Sequence, residues 1–167
     1  MNLKNKNFKI AVVEDIGYQR EILLDILKTE DFSVQGFAKG KEFLQNAEQD
    51  IFDIVLLDYK LDDMSGLEVL KQIKKISPLS KVIINTAFGN IELAVDSMKE
   101  GAFDFIRKPL KKKELLLRIQ RTLEYQEMDR QVKYLADKLE DSIPTTDFIF
   151  KSNKMKKVIK MALKVAQ

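Results

Sequence analysis

Short apolar runs alternate along this chain with longer stretches in which apolar residues recur every three or four positions. The runs cover 8–13, 32–37, 52–57, 81–85 and 102–106, and Val, Ile, Leu and Phe dominate them. Their length and side chains predict strands. Helical spacing fills the gaps. Ile22, Leu23, Ile26 and Leu27 predict a helix over about 17–29. Phe43, Leu44 and Ala47 predict one over about 39–49, and Leu67, Leu70 and Ile73 one over about 66–76. Ile91, Ala94, Val95 and Met98 predict a fourth over about 90–99, with Gly101 suited to its C-cap. A fifth helix starts after Pro109, which ends the last strand and pre-sets the turn. Strands alternating with helices in this way imply a parallel sheet with crossover helices.

The polar residues that stand out sit where these strands run out. Glu14-Asp15 follows the first, Asp58 the third, Thr86 the fourth and Arg107-Lys108-Pro109 the fifth. In a doubly wound (βα)5 sheet of order 2-1-3-4-5, the flavodoxin-like arrangement, all strand C-termini open on one edge. The ligand crevice lies between strands 1 and 3. Glu14, Asp15 and Asp58 crowd there, and like charges so close repel unless a cation joins them. The chain has no cysteine and no histidine, so thiolate or imidazole metal sites and histidine general bases are excluded. A hard, oxygen-ligated cation remains, and Mg²⁺ takes carboxylates, waters and phosphate oxygens. Such a cation draws a phosphoryl group against Asp58, whose carboxylate is a competent nucleophile for an acyl phosphate. Lys108 supplies a point charge to a phosphate oxygen and Thr86 a hydroxyl.

Each of these residues alone has an ordinary meaning: a helix N-cap for Glu14 or Asp15, a turn for Asp58 or Lys108-Pro109, a strand-end hydroxyl for Thr86. Their joint placement on four strand ends favours a phosphoacceptor. Binding of FMN, the rival in this topology, needs a glycine- and hydroxyl-rich loop after the first strand to cradle phosphate. Glu14-Asp15 stands there and repels it. No glycine-rich nucleotide loop follows any strand.

Charge divides the chain of 167 residues unevenly. Residues 1–106 carry 13 Lys/Arg and 18 Asp/Glu, a balance of −5, whereas 107–167 carry 16 and 8, a balance of +8. The basic part reads as a solvated helix face in preference to a nucleic-acid surface. No stretch approaches the ~20 apolar residues that span a bilayer, and the polar start, Met1 to Asn7, lacks the apolar core of a signal peptide. A cytoplasmic location without membrane contact is expected.

Past residue 125 the rhythm changes. Tyr125, Met128, Val132, Leu135 and Leu139 recur at alternating spacings of three and four, a coiled-coil seam on a fifth helix running from about 111 to 140. A homodimer follows if the stripe finds a second copy; folding back on the chain's own domain is the alternative. Residues 141–147 read as a linker, and 148–167 as a short strand and a basic amphipathic helix. The organisation expected is thus 1–125, a coiled-coil linker 126–147, and the truncated start of a further domain at 148–167.

Residues 8–125 resemble the receiver domain of two-component response regulators. The resemblance rests on Val12-Val13-Glu14-Asp15, Val55-Leu56-Leu57-Asp58 with Gly66 beyond it, Asn85-Thr86-Ala87 and Asp104-Phe105-Ile106-Arg107-Lys108-Pro109. It implies that Asp58 accepts a phosphoryl group from a sensor histidine kinase. It implies Mg²⁺ held directly by Asp15 and Asp58, by the backbone carbonyl of Lys60, and by Glu14 through water. Lys108 would contact the phosphoryl group, Lys108-Pro109 would be a cis peptide, and Thr86 with Phe105 would form the switch pair. A proline usual in the loop after the phosphoacceptor is replaced by Asp62, which predicts a more mobile loop with a more acidic rim. Residues 148–158 are similar to the opening of the AAA+ ATPase domain of NtrC-like, sigma-54-dependent activators. That similarity implies a regulatory, non-enzymatic portion of a transcription activator. The activator would reach sigma-54 RNA polymerase and DNA through domains beyond Gln167. A receiver whose coiled coil serves another output or a scaffold is the alternative.

Overall fold

A computed structural model describes residues 8–87 and 91–142. Five strands, β1 (Lys9–Val13), β2 (Ser33–Phe37), β3 (Ile54–Asp58), β4 (Lys81–Thr86) and β5 (Asp104–Arg107), alternate with five helices. These are α1 (Gly17–Lys28), α2 (Gly40–Ala47), α3 (Gly66–Ile76), α4 (Ile91–Lys99) and α5 (Lys112–Ser142). All four strand pairings are parallel, in the order β2-β1-β3-β4-β5. The chain is therefore a doubly wound, flavodoxin-like α/β fold.

Side chains alternate across a strand, and here the alternation sorts the core into two layers. Ile10, Val12, Ile54, Leu56, Ile83 and Ile106 pack with Leu23, Leu24 and Leu27 of α1 and with Leu115, Ile119 and Leu123 of α5. Val13, Val55, Leu57 and Ile84 pack on the opposite side with Phe43 and Leu44 of α2 and with Leu70 and Ile73 of α3. Each fully buried side chain of this kind contributes about 1.5–3 kcal/mol. The same parity decides where the strand-end residues go. Asp58 and Asn85 fall on the α1/α5 side, continuing Leu56 and Ile83, while Thr86 and Phe105 fall on the α2/α3 side.

Two helices differ from the faces their sequences suggest. In α1 the buried residues are Leu23, Leu24 and Leu27, and Ile22 is 54% exposed. In α4, Val95 and Met98 are exposed, and the residue turned fully inward is Ser97, whose Oγ donates to the Leu93 carbonyl at 2.8 Å. Back-bonding to its own helix satisfies the serine, so the small side chain packs inward while Val95 and Met98 face out. Gly101 takes a positive φ of 93° and ends α4 with a bond from its N–H to the Met98 carbonyl.

The chain divides into two compact units, one ending at Asp129 and the other beginning at Arg130. Residues 141 and 142 continue α5. The expected remainder, 143–147 and the ATPase-like start at 148–167, lies outside the described residues.

Candidate functional site

Strand register places the acids. The Glu14 N–H donates to the Phe37 carbonyl at 3.0 Å, which prolongs the β1–β2 ladder by one residue and swings Glu14 and Asp15 over the end of the sheet. Neither caps α1: its N-cap is Ile16, which makes no side-chain cap bond. Asp58 ends β3, the neighbour of β1, so the two strand ends flank the crevice. One carboxylate oxygen from each of Glu14, Asp15 and Asp58 lies within 4.8 Å of the others.

The loop that follows Asp58 closes tightly behind it. The Lys60 N–H donates to Asp58 Oδ1 at 3.2 Å, an Asx-type turn. The Gly66 N–H donates to the Tyr59 carbonyl at 2.7 Å. A Cβ on Gly66 would stand 2.3 Å from the Asp58 carbonyl oxygen and 2.8 Å from Tyr59 Cα, so only glycine fits. Ser65 and Glu68 then start α3 with reciprocal capping bonds. The Asp63 carboxylate accepts from the N–H groups of Gly40 and Lys41 at 2.9 and 3.0 Å, which ties the loop to the start of α2. Against the expectation of a loose loop, these contacts hold it at both ends and in the middle. The Asp63 carboxyl lies below its ordinary value: burial opposes this, but the two N–H groups outweigh it. Asp62 stays exposed, and its charge is felt at Asp15.

Lys108 completes the cluster from the far strand. Its N–H donates to the Thr86 carbonyl at 2.8 Å, extending the β4–β5 ladder, and its peptide to Pro109 is cis. Its ammonium donates to Asp58 Oδ2 at 2.6 Å and to Glu14 Oε2 at 2.7 Å. Burial lowers the lysine's proton affinity, yet hydrogen bonds to Asp58 and Glu14 and their charges overcome that and raise it. Glu14 is 1% exposed. Burial first, and the Asp58 charge after it, push its carboxyl up to about 7 against the pull of Lys108. Asp15 is raised by burial and by the charges of Asp62 and Asp58. Glu14 Oε1 is buried without a hydrogen-bond partner among the described residues.

That orphaned oxygen, three converging carboxylates and a donor set of oxygens alone fit a hard divalent cation. The Lys60 peptide lies beside Asp58 through its N–H bond. Thr86 is buried at the end of β4. Phe105 is half-buried on the same face of the sheet, in register with Ile84.

The residues expected at a dimer seam are not alike. Tyr125 packs edge-on against Phe103, with ring centroids 5.5 Å apart, and stays 43% exposed. The next residue, Gln126, is buried. Met128, Val132 and Leu135 are exposed at 50, 67 and 59%. The side chain of Leu139 lies outside the described residues.

Residue-by-residue reading missed three functional candidates. Arg20 Nη1 donates to the carbonyls of Glu14 and Asp15 at 2.6 and 3.3 Å. Its signal was a cation in the first turn of a helix, where the macrodipole disfavours one. Asp63 had no distinctive signal. Asn85, buried with an unpartnered Oδ1, lines a groove of about 470 Å³ with Tyr18, Ile22, Leu23, Lys108 and Pro109. The groove runs from α1 to the turn after β5 and opens beside the acids through Lys108.

Comparison with known proteins agrees with this geometry. Residues 10–120 match the family described as Response regulator receiver domain. Over 108 residues the chain is 34% identical to the transcriptional regulatory protein ZraR of Escherichia coli K12, covering 65% of this chain and 24% of ZraR. Over 158 residues it is 28% identical to the regulatory protein AtoC of the same organism, covering 95% of this chain and 34% of AtoC. The chain thus spans about a quarter to a third of these relatives' own length. The crystal structure of NtrX from Brucella abortus in complex with ATP superimposes with a TM-score of 0.76 at 29% identity, covering 95% of this chain and 34% of that one.

Proposed function

The chain belongs to the response regulator receiver family, and we propose that it is the phosphorylation-controlled regulatory part of an NtrC-like transcription activator. The observation that carries this reading is the convergence of Glu14, Asp15, Asp58 and Lys108 at one strand edge. An Asp58 carboxylate oxygen attacks the phosphorus of a phosphohistidine on a sensor kinase. The P–N bond breaks, and the electron pair leaves with the imidazole nitrogen. Mg²⁺, held by Asp15, Asp58 and the Lys60 carbonyl with Glu14 behind a water, would neutralise charge on the phosphoryl oxygens. Lys108 holds Asp58 in place beforehand and turns to a phosphoryl oxygen afterwards. The groove between α1 and Pro109 suits the kinase. It is apolar beside the acids, and Tyr18 and Ile22 on its rim are 67% and 54% exposed.

Thr86 and Phe105 report the phosphorylated state. A hydroxyl drawn to the phosphoryl group vacates space on the face that Phe105 shares, which gives two discrete packings. The readout is a homodimer through Met128, Val132 and Leu135, all exposed on α5. Control of sigma-54 RNA polymerase is supported by the relatives' character as transcriptional regulators and by the similarity of residues 148–158. The deciding experiment is treatment with acetyl phosphate and Mg²⁺ followed by mass spectrometry and light scattering. A single phosphoryl adduct on Asp58 with a change in dimer affinity is expected; no adduct on wild type refutes the reading.

A further inference from the structure

We propose that Arg20 is a positioning residue of the cation site, setting the direction of both members of the acid pair through their backbone. The proposal rests on the reading that Glu14, Asp15 and Asp58 take Mg²⁺. The Glu14 N–H is held by the Phe37 carbonyl and its carboxylate by Lys108, but the carbonyls of Glu14 and Asp15 lie beyond the strand ladder. Ile16 supplies no side-chain cap, α1 has no acidic residue in its first turn, and Glu14 Oε1 has no hydrogen-bond partner among the described residues. Arg20, in that same first turn, reaches back so that one nitrogen, Nη1, serves the carbonyls of Glu14 and Asp15 at 2.6 and 3.3 Å. Holding two successive carbonyls fixes the peptide planes on either side of Asp15, and with them the directions in which the two carboxylates leave the chain.

The neighbouring strand is shaped to admit this side chain. A Cβ on Gly36 of β2 would stand 2.8 Å from Leu24 Cδ1 and 3.2 and 3.4 Å from Arg20 Cδ and Cγ. Glycine there leaves room for the arginine stem to lie along the sheet edge on its way to the carbonyls. A cation at a helix N-terminus is mildly unfavourable, and two charge-assisted hydrogen bonds outweigh that cost.

Arg20 acts on the metal in two opposed ways. Its charge repels a nearby cation, whereas its hydrogen bonds order the ligands. Lysine keeps the charge but replaces the planar fork with a point donor, so Arg20→Lys isolates the ordering. Loss of a residue that orients metal ligands costs about 10–100-fold in metal affinity. Calorimetric titration with MgCl₂ alone is therefore expected to show Kd raised about 10-fold or more in Arg20→Lys. At saturating Mg²⁺ the rate of adduct formation from acetyl phosphate should return to the wild-type value, because Arg20 touches no reacting group. Amide NMR signals of Glu14 to Ile16, sharp and single in wild type, should broaden or double in the variant without metal. An Arg20→Lys protein that binds Mg²⁺ as tightly as wild type overturns the proposal. So does an Arg20→Met protein that binds it more tightly, since charge would then outweigh positioning. Failure of the wild-type chain to bind Mg²⁺ at all would instead refute the underlying site.

Discussion

Lys108 Nζ stands 2.6 Å from Asp58 Oδ2, joining the end of β3 to the turn after β5 across the strand between them. The same ammonium reaches Glu14 Oε2, so one cation compensates two buried carboxylates. Asp58→Asn should abolish the phosphoryl adduct formed with acetyl phosphate and Mg²⁺, read by intact mass. Lys108→Met leaves two acids facing each other and should destabilise the metal-free protein on the order of 3 kcal/mol, the cost of removing one partner of a buried pair. Proton uptake by Glu14 limits that loss. Chemical denaturation with and without Mg²⁺ should show the deficit shrinking when the metal is present.

Glu14 makes stability depend on pH. Its carboxyl, ordinarily near 4.5, is raised to about 7 in the fold, chiefly by burial. Between those values the folded protein keeps a proton that the unfolded chain has lost, so stability falls as pH rises. The contribution is whole below about 4.5 and gone above about 7. Asp15, also raised, adds in the same direction. Urea midpoints of the metal-free protein should decline across that window, and Glu14→Gln should flatten the decline. A midpoint that climbs instead would contradict the assignment.

Gly66 allows the phosphoacceptor loop to close. A methyl group there meets the Asp58 carbonyl at 2.3 Å, and backbone has to move. Gly66→Ala should cost at least the ~1–3 kcal/mol typical of overpacking. Because the displaced atom belongs to Asp58, adduct formation should slow as well. Comparison at matched folded fraction separates the two effects.

Thr86→Ala keeps every carboxylate and Lys108, so phosphorylation should persist. What should vanish is the accompanying shift around Phe105 and α4, followed by NMR before and after acetyl phosphate. A wild-type shift pattern in the variant would rule out the hydroxyl relay.

Light scattering should give a dimer for the whole chain and a weaker dimer or a monomer for residues 1–129. Val132→Lys combined with Leu135→Lys should give a monomer that still accepts phosphate. Tyr125→Ala should behave differently, lowering stability through loss of the Phe103 contact while leaving the dimer in place. A dimer that survives the double lysine change would move the interface onto the receiver surface.

The linear pattern of the chain was enough to determine the alternation of strands and helices and the strand ends that bear the acids. Two-residue periodicity assigns each strand side chain to a layer, and the parallel arrangement sends every strand end to one edge. Asp58, Asp15, Thr86 and Lys108 were therefore legible as a set before any coordinates. The tertiary structure alone decided how that set is held. Arg20 bonds to backbone carbonyls, which the sequence of side chains does not display. Asp63 restrains the loop from a helix that starts 23 residues earlier, and Gly66 matters because of a carbonyl folded over it. On α4 the periodicity misled: Val95 and Met98 face out. A repeat of three and four residues marks a stripe on a helix, but only the neighbouring element determines which stripe is covered.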